Sequence, residues 1–158
     1  MDYSREYLVH YYEADSDRRL TLPSLMRYFE DIAILHSESL GLGLDYYETN
    51  SCGWMLMKWD VAIRKLPRFA EAVHVTTRVH AMKRFLADRV YELCASDGTI
   101  LAEARSNWVF VDTARRRPIR IAEDQYGRFG VTTESEASFI AIADVETLAE
   151  AGPLTEAE

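Results

Sequence analysis

The strongest hydrophobic pattern in the chain lies at residues 22–40, where apolar side chains recur every three or four positions. Thr21 precedes this stretch as a good N-cap, and Pro23 falls in the first turn, where a missing N–H group costs nothing. Gly41 follows as a typical helix stop. The pattern predicts one long amphipathic helix over residues 22–40, whose apolar face comprises Leu22, Leu25, Met26, Phe29, Ile32, Ala33 and Leu40.

The rest of the body shows the period-two alternation that is typical of β-strands. It is clearest where Met55, Met57, Trp59, Val61 and Ile63 alternate with Leu56, Lys58, Asp60, Ala62 and Arg64. Asp97-Gly98 is a strong hairpin signal between two long runs. Strands are predicted at residues 5–13, 54–64, 72–82, 85–95 and 99–112. Long strands after a single helix favour an α+β fold, in which a curved antiparallel sheet wraps around that helix.

A second set of residues carries a resemblance to a known family. The helix contributes Thr21, Leu25-Met26, Glu30-Asp31, Ala33, His36 and Ser39-Leu40-Gly41. The strands contribute Trp54, Pro67, Val75-Thr76-Thr77, Arg84-Phe85, Arg89, Asp97-Gly98, Ala104, Ser106, Trp108-Val109, Asp112 and Arg116-Arg117-Pro118. In order and spacing, residues 5–125 resemble the N-terminal half of acyl-ACP thioesterases. The resemblance implies a hot-dog fold and hydrolysis of fatty acyl-ACP thioesters, the step that ends fatty-acid elongation.

The chain departs from that family in one respect. Its members usually carry two hot-dog domains in tandem, and a catalytic motif, Asp-x-Asn-x-His-Val-Asn-Asn, opens the second. No such motif occurs in these residues. Two interpretations stay open: a truncated N-terminal half, or a natural single-domain relative that pairs with a copy of itself. The function is accordingly either thioester hydrolysis by this chain or non-catalytic binding of an acyl chain.

Acidic residues are concentrated at the C-terminal end of the chain. The net charge is −8, from 26 acidic and 18 basic residues. Residues 131–158 hold seven of the acids and none of the bases, which leaves 19 acids against 18 bases in residues 1–130. We therefore predict a nearly neutral domain over residues 1–130 and an acidic linker or tail over 131–158, with a possible short helix around 143–150. The overall acidity argues weakly against a nucleic-acid partner.

The sequence shows no targeting or metal-binding signal. No stretch approaches the roughly 20 apolar residues that a membrane-spanning helix needs, and residues 1–5 lack the layout of a signal peptide. Cys52 and Cys94 lie outside any CxxC or Cys/His cluster. We expect a cytoplasmic protein with two reduced thiols, without a metal or another cofactor.

Candidates for catalysis lie on the predicted helix. Thioester hydrolysis needs a base or nucleophile, donors for the developing oxyanion, and a tunnel for the acyl chain. Glu30 and Asp31 are adjacent carboxylates about 100° apart around the helix, so they cannot both face the core. His36 lies on the apolar side and is the third catalytic candidate. The alternatives are solvated or arginine-paired carboxylates and a hydrogen-bonded core histidine.

Large apolar side chains and an arginine cluster are the candidates for binding. Met26, Phe29, Met57, Trp59, Phe85 and Trp108 are predicted to line the acyl tunnel, although plain core packing explains them equally well. Arg115, Arg116 and Arg117 are predicted to dock the acidic acyl carrier protein, or otherwise coenzyme A. A homodimer is expected, because a lone sheet of this kind leaves a long edge strand unpaired.

Overall fold

The computed structural model describes residues 1–131, in which a curved antiparallel sheet surrounds one long helix. The elements in chain order are β1 (Tyr3–Leu8), a 3-10 turn (Tyr11–Glu13), α1 (Leu22–Ser39), α2 (Leu44–Thr49), β2 (Cys52–Ile63), β3 (Ala72–Lys83), β4 (Leu86–Ala95), β5 (Ile100–Asp112), β6 (Arg117–Pro118) and α3 (Glu123–Arg128). The strand order is β1-β3-β4-β5-β2, and the short β6 pairs with β5. The predicted α+β architecture is confirmed.

The long helix α1 begins and ends where its pattern predicts. The Thr21 side chain accepts a hydrogen bond from the Ser24 N–H group at 3.3 Å, which satisfies one free donor of the first turn. At the other end, Gly41 has a φ of +68°, a conformation that glycine adopts without strain. The buried side chains of α1 are Ser24, Leu25, Tyr28, Phe29, Ile32, Ala33, His36 and Ser37. One continuous face of the helix therefore packs against the sheet.

The first strand is shorter than predicted. Residues 5–13 carry strand-like side chains, but β1 ends at Leu8 and the chain turns over Tyr11–Glu13. Glu13 causes this turn, because its carboxylate accepts a hydrogen bond from the His10 N–H group at 2.9 Å. The Tyr28 hydroxyl donates to the same carboxylate at 2.5 Å. A local cap anchored to α1 thus replaces the second half of the predicted strand.

Strand β2 contains a β-bulge that the alternation did not predict. Leu56 pairs with Trp108 and Lys58 pairs with Asn107, so Met57 has no partner in the register. An extra residue exchanges the two faces of a strand. Trp54 before the bulge and Trp59 after it both pack into the core, whereas Met57 is 59% exposed. The prediction that all odd-numbered residues of this strand share one face is therefore wrong.

The core is divided into two apolar clusters by a polar layer. The first cluster includes Val9, Leu20, Leu25, Phe29, Ile32, Val73, Val75, Tyr91 and Leu93. The second includes Leu42, Val79, Met82, Ala87, Phe110, Ile121 and Phe129. Between them lie the buried polar side chains of Thr77, Arg89 and Ser106 on the neighbouring strands β3, β4 and β5, and His36 from α1. This polar layer borders the candidate site.

Membrane-spanning helices and metal-ligand clusters are absent from the described residues. Within residues 1–131, no helix has the length and apolar character to cross a membrane. The same part of the chain has no group of three or more His, Cys, Asp or Glu side chains placed to hold a metal ion. The predicted acidic tail, with its possible helix around 143–150, lies outside the described residues except for Val131, so the domain boundary at residue 130 stays a prediction.

Candidate functional site

An apolar cavity of about 250 Å³ lies between the helices and the second core cluster. Helices α1 and α2 and strands β2, β3, β4 and β5 form its walls, and Phe129 just after α3 closes one side. Its lining consists of Ala33, Ile34, Ser37, Leu44, Tyr47, Gly53, Trp54, Val79, Met82, Ala87, Arg89, Trp108 and Phe129. Neither a carboxylate nor a thiol is among these side chains. Most of the lining is apolar, so the cavity is suited to an aliphatic chain.

Arg89 is the one charged side chain that lines the cavity. It is only 6% exposed, and burial lowers the pKa of its guanidinium. Its Nη1 atom lies 3.0 Å from His36 Nδ1 and 3.4 Å from Thr77 Oγ1, and its guanidinium carbon lies 5.7 Å from the centre of the Phe129 ring. Within residues 1–131, no carboxylate forms an ion pair with it. A buried cation with only neutral partners is costly.

His36 is held as a neutral imidazole beside this arginine. A guanidinium can only donate, so Nδ1 of His36 must accept, and the ring proton therefore resides on Nε2. Burial and the neighbouring Arg89 charge lower the pKa of His36 to about 4. The ring stacks on Tyr3 at 5.4 Å and meets the Phe129 ring edge-on at 5.6 Å. At neutral pH, His36 is thus an acceptor that orients Arg89.

Two further polar groups border the cavity. The Tyr47 hydroxyl is buried, and no group in the described part of the chain meets hydrogen-bond geometry with it. Ser106 accepts a hydrogen bond from the Trp108 indole N–H at 2.6 Å and lies 3.0 Å from the Tyr91 hydroxyl. The Ser106 bond fixes the Trp108 ring in the cavity wall. Burial raises the pKa of the Tyr47 hydroxyl, and the neighbouring Ser37 and Trp54 side chains partly offset that rise.

Comparison with known proteins identifies the family. The model of the acyl-ACP thioesterase N-terminal domain matches residues 1–129. The chain belongs to the acyl-ACP thioesterase family. The predicted resemblance is thereby confirmed, and it applies to the N-terminal domain of the family.

The acyl-ACP thioesterase relatives are longer than this chain. Oleoyl-acyl carrier protein thioesterase 1, chloroplastic, of Arabidopsis thaliana is 22% identical over 131 residues, which cover 78% of this chain and 36% of the relative. Palmitoyl-acyl carrier protein thioesterase, chloroplastic, of Gossypium hirsutum is 27% identical over 79% of this chain and 32% of its own length. The chain spans about a third of the curated relatives that it matches.

Solved structures confirm the hot-dog fold. A Lactobacillus plantarum protein described as an oleoyl thioesterase superposes with a TM-score of 0.79 at 27% identity, covering 82% of this chain and 51% of that one. A hypothetical protein from Thermus thermophilus superposes with a TM-score of 0.73 at 23% identity, covering 81% of this chain and 97% of that one. The second likeness shows the fold alone, in a chain of one domain's length.

None of the three catalytic candidates lines the cavity. Glu30 is exposed on α1. Asp31 is also exposed, and its carboxylate accepts a hydrogen bond from the Tyr7 hydroxyl at 2.7 Å. Neither carboxylate lines the cavity, because both lie off the helix face that carries Phe29 and Ala33. His36 is buried and does not line the cavity, but it contacts the lining residues Arg89 and Phe129. Catalysis by these residues stays a prediction.

Of the six predicted tunnel residues, only Trp108 lines the cavity. Phe29 is buried in the first core cluster, and Met26 and Trp59 pack against that cluster. Met57 projects from the β2 bulge, and Phe85 is 37% exposed at the turn between β3 and β4. The cavity therefore lies on the other side of the polar layer from Met26, Phe29 and Trp59.

Arg89 and Tyr47 were missed as site residues by reasoning from the sequence. A signal for Arg89 is present, because the inward positions of β4 are Ala87, Arg89, Tyr91 and Leu93. A single cation on an otherwise apolar strand face marks a buried charge with a role. Tyr47 had no such signal, since α2 is only Leu44–Thr49, too short for a clear periodicity.

The predicted docking arginines form an exposed turn near the cavity. Arg115 and Arg116 lie in the turn after β5, and Arg117 begins β6. The Arg115 N–H group donates to Asp112 Oδ1 at 2.7 Å. Asp112 pairs with Cys52, the residue before Gly53 and Trp54 in the cavity wall. The arginine turn thus adjoins the end of the sheet that carries the cavity.

The two cysteines lack the environment of a catalytic thiol. Cys52 is buried and Cys94 is half-buried, and both are free. Burial raises the pKa of each thiol, with a smaller contribution from Asp112 at Cys52 and from Glu92 at Cys94. A raised pKa lowers the thiolate fraction that nucleophilic catalysis needs.

Proposed function

We propose that this chain serves the hydrolysis of fatty acyl-ACP thioesters, and that its cavity holds the acyl chain. Membership of the acyl-ACP thioesterase family supports the reaction class. The observation that carries the proposal is the apolar cavity of about 250 Å³ between α1, α2 and the sheet. Burial of an aliphatic chain against these walls supplies binding energy roughly in proportion to the apolar area removed from water.

A second candidate function is binding of the acyl chain while catalysis occurs elsewhere. The cavity-lining residues include no carboxylate, thiol or histidine, which supports this alternative. The match to about a third of the curated relatives also supports it. Under the first candidate, Glu30, Asp31 and His36 are the catalytic groups that we propose. Under the second, the chain binds acyl groups without releasing thiol.

A thioesterase assay across acyl chain lengths, on carrier-protein and coenzyme A substrates, separates the two candidates. Release of free thiol that Glu30→Gln or Asp31→Asn abolishes supports the enzyme. Binding of acyl groups without thiol release supports the acyl-binding half.

Variants that change the volume of the cavity test whether it holds the acyl chain. Ala33→Leu adds bulk to the wall and is expected to weaken binding or turnover of longer acyl chains more than of shorter ones. Met82→Ala enlarges the same space and is expected to shift the preference the other way. Identical chain-length profiles for both variants and the wild type would show that acyl chains bind elsewhere.

Carrier, assembly and location complete the proposal. We propose that acyl carrier protein docks on the turn Arg115–Arg117. We also propose that two copies of this chain pair along β2, because β2 is the last strand of the sheet and has one free edge. Coenzyme A is the alternative carrier. A cytoplasmic location is proposed on the two free thiols, which are compatible with a reducing compartment, although the plant relatives above are named as chloroplastic.

A further inference from the structure

The cavity has apolar side chains at its mouth and a cation at its inner wall. Ile34 and Leu44 are 37% and 59% exposed, so they mark the opening. Arg89 lines the same cavity but is only 6% exposed. A chain that enters between Ile34 and Leu44 therefore brings its leading end towards the guanidinium group.

The charge of Arg89 lacks an anionic partner in the described residues. A guanidinium carries five N–H donors. The contacts of Arg89 to His36 and Thr77 both involve Nη1, and residues 1–131 contain no hydrogen bond from Nε or Nη2. The ring of Phe129 is a further neutral partner. Burial without an anion is costly, so a negatively charged ligand would relieve the cost.

Tyr47 supplies a second donor on the same cavity. Its hydroxyl is buried and without a partner in hydrogen-bond geometry among the described residues. A carboxylate has two oxygens that accept several hydrogen bonds, and bonds to charged donors are the strong ones. A cation and a hydroxyl facing an apolar space match a carboxylate attached to an aliphatic chain. A plain methyl terminus would leave both donors unpaired.

We propose that the inner end of the cavity binds a carboxylate on a medium-length aliphatic chain, held by Arg89 and Tyr47. The inference rests on the proposed function in that it uses the same cavity, but it requires no turnover. Two sources supply this chemistry. A free fatty acid, the product of the proposed reaction, enters carboxylate first and then competes with substrate. Alternatively, the acyl chain of a thioester carries a second carboxylate at its far end.

The test compares octanoate with octan-1-ol, which has the same chain length but no charge. Trp54 and Trp108 line the cavity, so their fluorescence reports binding, and calorimetry gives the affinity. We expect octanoate to bind at least about tenfold more tightly than octanol, as a charge-assisted hydrogen bond provides. In Arg89→Gln the preference disappears, because octanoate binding falls much more than octanol binding. The matched control, Arg78→Gln on the exposed face of β3, keeps the wild-type preference.

The comparison on the wild-type protein stands even if Arg89→Gln fails to fold. Tyr47→Phe provides a second variant, and it is expected to weaken octanoate binding more than octanol binding, because a carboxylate is the stronger acceptor. Equal affinities of octanoate and octanol for the wild type would overturn the proposal, and so would an unchanged preference in a folded Arg89→Gln. In the first case the acyl cavity stands and only the carboxylate subsite fails. If neither ligand binds, the acyl cavity fails as well.

Two pantetheine thioesters distinguish the sources of the carboxylate. One carries an octanoyl group, and the other carries an octanedioyl group with a free carboxylate at its far end. Tighter binding of the octanedioyl thioester, lost in Arg89→Gln, identifies the substrate as the source. Equal binding of the two thioesters, together with competition by octanoate, identifies the free acid.

Discussion

At the scale of single residues, the contact between His36 and Arg89 sets the chemistry of the buried layer. His36 offers the guanidinium a neutral acceptor at 3.0 Å, and Thr77 offers a second at 3.4 Å. If His36 were protonated, two cations would face each other at that distance in a buried site, which is strongly unfavourable. Protonation of the imidazole therefore costs folding free energy.

Protonation of His36 is expected to destabilise the fold in mildly acidic solution. Its pKa is about 4 in the folded protein, below the ordinary value of 6.5, because burial and then Arg89 disfavour the charged ring. The resulting stability is fully present above pH 6.5 and is lost as pH falls from 6.5 towards 4. With 1.36 kcal/mol for each pKa unit, the loss is about 3 kcal/mol. In His36→Asn, which keeps an acceptor for Arg89, this pH dependence should disappear.

Denaturant unfolding at pH 7, 6, 5 and 4 measures this effect. His80 is exposed on β3, and His80→Asn is the matched control, expected to retain the wild-type slope. The same slope in His36→Asn as in the wild type would show that other groups cause the acid sensitivity.

The sequence predicts the burial of individual residues better than it predicts their contact partners. His36 was predicted on the apolar side of α1, and it is 1% exposed there. Its partner Arg89 lies 53 positions further along the chain, and nothing in local periodicity connects the two. Glu30 and Asp31 are adjacent carboxylates, but the 3.6-residue period places both off the buried stripe. Periodicity predicts burial, whereas partners depend on tertiary packing.

At the scale of secondary structure elements, strand β2 connects packing to assembly. It is the last strand of the sheet, with β5 on one side and a free edge on the other. Met55 and Met57 are 58% and 59% exposed there. Long apolar edges are avoided in monomers, because they pair with further strands. The two exposed methionines thus give this edge an apolar character.

Charges on this edge are expected to break the proposed dimer. We predict that the wild type is a dimer by size-exclusion chromatography with light scattering, and that Met55→Lys combined with Met57→Lys gives a folded monomer. Leu8→Lys combined with Phe69→Lys adds the same charge at exposed sites away from β2 and should leave the dimer intact. A monomeric wild type, or a dimer that survives the β2 substitutions, would argue against pairing along this strand.

Elements were predicted best where a local signal defines both ends. Thr21 and Gly41 delimit α1, and its observed bounds, Leu22–Ser39, differ from the predicted 22–40 by one residue. Asp97-Gly98 correctly marks the hairpin between β4 and β5, with Gly98 at a φ of +84°. The bulge at Met57 was not predictable in this way, because it depends on the register with β5 rather than on the side chains of β2.

At the scale of the whole molecule, the cavity and the basic turn adjoin each other although distant parts of the chain form them. The cavity walls extend from Ala33 on α1 to Phe129 after α3, so no local pattern predicts them together. The turn Arg115–Arg117 follows β5, and the end of β5 pairs with β2 at Gly53 and Trp54 in the cavity wall. A carrier bound at this turn would therefore deliver its acyl chain near the cavity.

Neutralising the three arginines of this turn is expected to weaken binding of acyl-ACP but not of a small acyl thioester. Arg115→Gln, Arg116→Gln and Arg117→Gln together remove three exposed positive charges from a body that is nearly neutral. At low ionic strength we expect the KM for acyl-ACP, or the Kd if the chain only binds, to rise about tenfold, because steering of an acidic partner is lost. Values for the matching acyl-pantetheine should stay unchanged, since that substrate has no protein to dock.

A matched control separates a local docking site from the effect of net charge. Arg27→Gln, Arg68→Gln and Arg78→Gln remove the same number of charges at exposed positions outside the β5–β6 turn. This control should retain wild-type affinity for acyl-ACP. Screening shortens the range of such interactions to about 10 Å at 0.1 M salt, so the difference between the two triple variants should shrink as salt is raised. An equal loss in both triple variants would instead assign the effect to total charge, and the docking site would have to lie elsewhere.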